Sequence, residues 1–346
     1  MKRLVFWLGV AWCGIVVSTA HSQGTGPVES MKRFSSFSHV DLGRMLDGEI
    51  LGERGALMEF PNGMTAETCF VAPTSAEETA KRLQSWDATP HEALKVYAFQ
   101  ALHNPCEPGD FQRLNFKSNQ HLIRWLLEKT LASTPDNSEL NLSRAEAREL
   151  AGCVDKNSDP DMIASCWAKL LMARATSFQR QGLGGVPPYE TTRETVLPMK
   201  QLRAMLAEDL PVANEFWPIL QRIGLFGSTN GATAPEPFYY WTMFDADHHG
   251  TISLGAFYKL GVDDHFQMVD MEYYVSGNYH TSAALYEIWP IRVRGKPGSL
   301  IWRDDFFAAP TLKFTKGTER LAYGAIMLQE IKKEIRCFQD DMKIKR

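Results

Sequence analysis

An α+β fold is what this sequence predicts: an antiparallel sheet of about five or more strands, a long amphipathic C-terminal helix packed on it, and a helical middle segment. Three observations carry that expectation. Five aromatic or β-branched runs follow one another from Phe238 to Phe307, parted by short turns of Gly, Asp, Asn or Pro. Connections that short fit an antiparallel meander, because parallel neighbours need long crossovers. The closing segment, Thr318 to Met342, repeats Leu321, Ala325, Leu328, Ile331, Ile335, Phe338 and Met342 on one helical face. Between about 118 and 224, apolar residues recur with helical spacing behind identifiable start signals.

Taken in order, 23–40 begins rich in Gly, Pro and Ser and reads as a disordered lead-in. The next unit, 41–117, mixes strand and helix. Met64 to Val71 ends as a buried strand, and Ser75-x-x-Glu78 is a capping box opening a short helix to Trp86. Lys95 to Leu102 fits either a strand or a helix at its length. The 118–224 segment, an insertion or a cap, holds helices over Ser118–Ala132, from Ser143 to about Gly152, and from Asp159 with its following Pro160 to Gly182. Two further pieces, Pro198 to Leu210 and Pro211 to Ile223, are divided by Pro211. The meander occupies 238–244, 251–260, 266–276, 281–293 and 299–307, so that 235–346 is sheet plus terminal helix.

The first 22 residues read as a secretory signal peptide. Lys2 and Arg3 precede an uncharged apolar run, Leu4 to Val17, and small residues then stand at Ser18 and Ala20, or Ala20 and Ser22. The run is shorter than the roughly 20 residues a membrane-spanning helix needs. Val10-Ala11-Trp12-Cys13 loosely imitates a lipidation motif, but Trp12 is too large for the position before the modified cysteine. The expected location is therefore secreted or periplasmic, with no transmembrane segment after cleavage. The net charge of -4 offers no electrostatic footprint for nucleic acid.

Five cysteines follow the leader. Cys153 and Cys166 flank a turn-rich segment and form the preferred disulfide; Cys69 with Cys106 is the second candidate pair. Phe244-Asp245-Ala-Asp247-His-His249-Gly250-Thr-Ile252 resembles the opening of an EF-hand calcium loop, with carboxylates at positions one and three and Gly at six. His249 stands at position five, and Ala256 occupies position twelve where the bidentate Glu belongs. A β-hairpin turn is the expected reading, with no metal favoured. Asp245, Asp247, His249 and His280 are the residues the strand lengths could bring together for a weak cation site. His103 beside Cys106 imitates a Cys–His pair. Arg303-Asp304-Asp305 reads as a solvated strand end. No nucleophile elbow, zinc-protease motif, phosphate loop or dinucleotide fingerprint is present, and no cofactor is implied.

The order of strands, capped short helix, meander and long final helix is similar to the helix-grip, START-like ligand-binding domains. That resemblance implies an apolar small molecule held between sheet and helix, with the 118–224 helices as an insertion or cap. A non-enzymatic exported binding protein, for such a ligand or for an envelope partner, is the leading expectation. A hydrolase-like enzyme with scattered residues is the alternative.

Overall fold

The computed structural model describes residues 26–117, 121–190, 194–227 and 233–344. The leader over 1–22 lies outside the described residues. The protein is α+β, built on one eight-stranded, wholly antiparallel sheet. Its strands are β1 (Leu51–Arg54), β2 (Gly63–Ala72), β3 (Val96–Ala101), β6 (Phe238–Ala246), β7 (His249–Val262), β8 (His265–Val275), β9 (Thr281–Val293) and β10 (Lys296–Ala308), in the order β1-β2-β10-β9-β8-β7-β6-β3. A separate two-stranded ribbon joins β4 (Tyr189–Glu190) to β5 (Thr195–Val196). The five aromatic runs are the five long strands, and Lys95 to Leu102 resolves into the edge strand β3.

The tight hairpins have local causes. Between β6 and β7, Asp247 and His248 both take positive φ, 51° and 64°, the backbone twist a two-residue hairpin demands. This is the segment that resembles a calcium loop, and its flanks are strands. Arg294 and Gly295 make the same kind of turn between β9 and β10.

Each sheet face carries its own layer. On one face lie α3 (Ala76–Gln84), started by the Ser75 cap, and α10 (Gly317–Ile344). Ile331, Ile335, Phe338 and Met342 of α10 pack there with Phe70, Ile301, Ile288 and Met268. Leu321 and Ala325 of the same stripe are exposed, so the terminal helix is buried along its C-terminal half.

The opposite face is covered by α4 (His121–Ala132), α5 (Arg144–Cys153), α6 (Pro160–Gln181), α7 (Pro198–Glu208), α8 (Leu210–Glu215) and α9 (Trp217–Arg222). The middle helices therefore do not cap the space between sheet and α10. They fill the other side, because β8 presents Val269, Met271 and Tyr273 to them while Met268 faces α10.

The N-terminal lead-in is also structured from Pro27 onward. α1 (Pro27–Met31) and α2 (Leu42–Leu46) bracket a strap whose Met31, Phe34 and Phe37 are buried. Composition around 23–30 hid this, since the apolar anchors are spaced singly among polar residues. Cys153 and Cys166 are bridged, with Cα atoms 6.1 Å apart. Cys69 and Cys106 are both free. That second pair fails on topology: β2 and the segment after β3 sit near opposite ends of the sheet, roughly 30 Å apart at about 4.8 Å per strand step.

Candidate functional site

Alternating strand residues build a polar floor on the α10 face. Asp305, Ala284, Asp270 and Phe257 are opposite one another across β10, β9, β8 and β7. The neighbouring row is Phe307, Ser282, Glu272, Gly255 and Tyr240, ending on β6. Gly255 is required here, because a Cβ would meet Tyr240 Cζ at 2.1 Å. The tyrosine ring lies across that gap, and its hydroxyl donates to Asp270 Oδ1 at 2.7 Å. Glu272 Oε2 accepts from Tyr279 Oη at 2.5 Å and from Ser282 Oγ at 2.6 Å. Arg303 donates twice to Asp305, at 2.8 and 2.7 Å, and twice to Glu334 of α10, at 3.1 Å each, with its guanidinium over the Tyr286 ring.

Asp270, Glu272, Ser282 and Asp305 all keep partial exposure to water. Yet desolvation is the largest influence on both aspartates, pushing Asp270 up to about 7 and Asp305 up to about 6. Both carboxyls are thus desolvated by surrounding protein while part of each residue stays open to water on the α10 face. Ala284 stands between the two aspartates in the register. Arg303 is engaged by Asp305 and Glu334, although its charge still lowers Asp270, and among the described residues Asp270 and Glu272 are hydrogen-bonded to hydroxyl donors and to no cation. Such a set can bind a positive charge, and Asp270 is poised near neutrality to give or take a proton.

The Arg303-Asp304-Asp305 trio is thus not a solvated strand end. It lies in the middle of β10, where Arg303 is 7% exposed and Asp304 0%. Alternation sends Asp304 to the opposite face, directly across from buried Glu67 of β2. Asp304 Oδ1 accepts from Thr65, while Glu67 accepts from the Ser36 backbone and from Trp302 Nε1 at 3.0 Å. Burial, and then the charge of Glu67, raise Asp304 well above the ordinary carboxylate range.

The other expected positions do not converge. Asp245 pairs with Lys95 at 3.1 Å, His249 packs on the Trp125 ring, and Asp247 forms the hairpin turn. His280 is buried against Gln201, 2.8 Å away, and burial lowers it to about 4. Among the described residues no group of three His, Cys, Asp or Glu could hold a metal. Asp264 and the 3.2 Å contact with Glu287 occupy the His265 ring.

His103 does not pair with Cys106. Its Nδ1 contacts fully buried Asp110 at 2.5 Å, and burial and Asp110 push the Cys106 thiol up to about 12, away from nucleophilic thiolate. An open cleft of about 580 Å³ lined by Arg33, Phe34, Leu210, Pro211, Asn214 and Glu215 holds no comparable polar set.

The Asp270, Glu272, Arg303 and Asp305 cluster was missed as a site, although a signal was present. Asp270 with Glu272, and Arg303 with Asp305, repeat charge at every second position inside otherwise apolar strands. That spacing places both members of each pair on one face of a sheet. No family model matches the chain, and neither a curated protein nor a solved structure is found to be similar to it.

Proposed function

We propose that the protein is an exported, non-enzymatic binding protein that holds an amphipathic small molecule bearing a basic amine on the polar floor between the sheet and α10. The single observation that carries this reading is the pair Asp270 and Glu272, two partly exposed carboxylates on one sheet face that are hydrogen-bonded to hydroxyls and, among the described residues, to no cation. An ammonium group would supply the missing charge, and the rings of Tyr240, Phe257 and Tyr286 offer apolar and cation–π contact for the rest of the ligand. The position between sheet and terminal helix agrees with the helix-grip arrangement. A polar floor favours an amphipathic ligand over a wholly apolar one. Export rests on the basic, apolar and small-residue pattern of the first 22 residues.

Native mass spectrometry of the purified protein, followed by thermal melts with alkylammonium ions of increasing chain length, tests the reading. Amines should raise the melting temperature, and the matching uncharged alcohols should not. Ala284→Phe, which fills the floor, should abolish the amine effect. Equal responses to amine and alcohol, or an undiminished response in Ala284→Phe, would overturn it. The second reading, an acid–base enzyme, is favoured by the near-neutral Asp270; turnover lost in Asp270→Asn with amine binding retained would establish it.

A further inference from the structure

We propose that the N-terminal half of α10 is the contact between two copies of this chain, packed antiparallel about a two-fold axis at Ile326. The helix changes character along its length. Its C-terminal half buries Ile335 and Phe338 to 2% exposure, whereas Leu321, Tyr323 and Ile326 are 47, 41 and 57% exposed. From Leu321 to Gln329 there is no charged residue. An exposed helical surface without charge over more than two turns is a place where something docks. The inner side of this stretch is already seated: Gly324 lies against the Arg54 side chain, and Arg320 donates to the carbonyls of Pro61 and Gly63. Leu321, Ala322, Ala325 and Ile326 therefore share the outward side. Phe314, three residues before the helix, is 77% exposed and extends the apolar surface at that end.

The flanking charges select the occupant. A lipid surface calls for Lys and Arg around the apolar stripe, but here Glu319 and Glu330 interrupt Lys313, Lys316, Lys332 and Lys333, and Arg320 is engaged by backbone carbonyls. An antiparallel second copy fits that mixture. Glu319 lies seven residues before Ile326 and Lys333 seven after, about two helical turns each way, so both share the outward side of the helix with Ile326. A two-fold at Ile326 sets Glu319 of each copy opposite Lys333 of the other, and Ala322 and Ala325 keep the surface low enough for close approach. Lys333 otherwise pairs with Glu330 at 3.0 Å, an exposed pair of small worth. The contact is isologous, so it closes at two copies. A contact limited to about two turns of one helix from each copy points to a reversible dimer rather than an obligate one.

Sedimentation equilibrium of the full mature chain, from low to high micromolar, should show a reversible monomer–dimer equilibrium. Ile326→Lys should weaken it about tenfold or more with unchanged melting, and Leu321→Lys serves if that variant misfolds. Glu319→Lys should weaken it, and Glu319→Lys combined with Lys333→Glu should restore it. A monomer at every concentration, a dimer indifferent to Ile326→Lys, or a monomer that instead floats with neutral vesicles would overturn the proposal.

Discussion

At the level of single residues, burial displaces several titratable groups from their ordinary behaviour. Asp270 is raised in the native state from 3.8 to about 7. The folded protein therefore holds this proton more tightly than the unfolded chain does, and stability falls as pH rises between those values. Asp270→Asn should remove that part of the slope, so urea unfolding at several pH values should show the variant gaining on the wild type up to about pH 7. His280 acts with the opposite sign. Its native value is lowered from 6.5 to about 4, so its contribution is complete above 6.5 and is lost as pH falls toward 4. His280→Gln should flatten the acid side of the same profile and leave the neutral side alone. Arg303 bridges Asp305 and Glu334 inside the sheet–helix layer. Arg303→Ala strands two carboxylates and should cost about 3–5 kcal/mol by denaturant unfolding, with little rescue by Lys, which lacks the planar fork.

Elements differ in how far their apolar faces are used. Ile335→Ala, in the buried half of α10, should cost about 2–5 kcal/mol, whereas Leu321→Ala in the exposed half should change melting little. Replacing Cys153 and Cys166 by Ser should cost about 3 kcal/mol, and non-reducing peptide maps should show the two linked in the native protein. The long strands and most helices were legible in the sequence because each announces itself locally. Ser143 and Glu146 cap α5 reciprocally, Asp159 accepts from Met162 to start α6, and Gly182 stops that helix. Which face of the sheet each helix takes was not legible. That choice depends on matching whole surfaces, as when Val269, Met271 and Tyr273 of β8 join the cluster of the middle helices while Met268 joins that of α10. The carboxylate cluster fell in the same gap: Asp270 and Asp305 are 35 residues apart in sequence, and only strand register puts Ala284 between them.

For the molecule as a whole, the N-terminal strap is part of the core rather than an appendage. Phe34 meets Trp302 edge-on at 4.9 Å and also touches Trp289 and Phe216, while Met31 reaches Cys69. Phe34→Ala should cost about 3–5 kcal/mol, and the loosened strap should shift the emission of Trp302 and Trp289 to longer wavelength. The strand order carries a further consequence, for the time at which folding finishes. β2, at residues 63–72, has β10, at residues 296–308, as its inner neighbour, while β3 forms the far edge. A chain that emerges N-terminus first holds β2 with one unpaired edge until nearly every other strand has appeared. Its closing step is among the most non-local this length allows, and such pairings are slow because the intervening loop entropy is lost before the contact is gained. The half-made sheet would offer that edge to any other strand nearby, and the edge stays open until the last seventh of the chain has arrived.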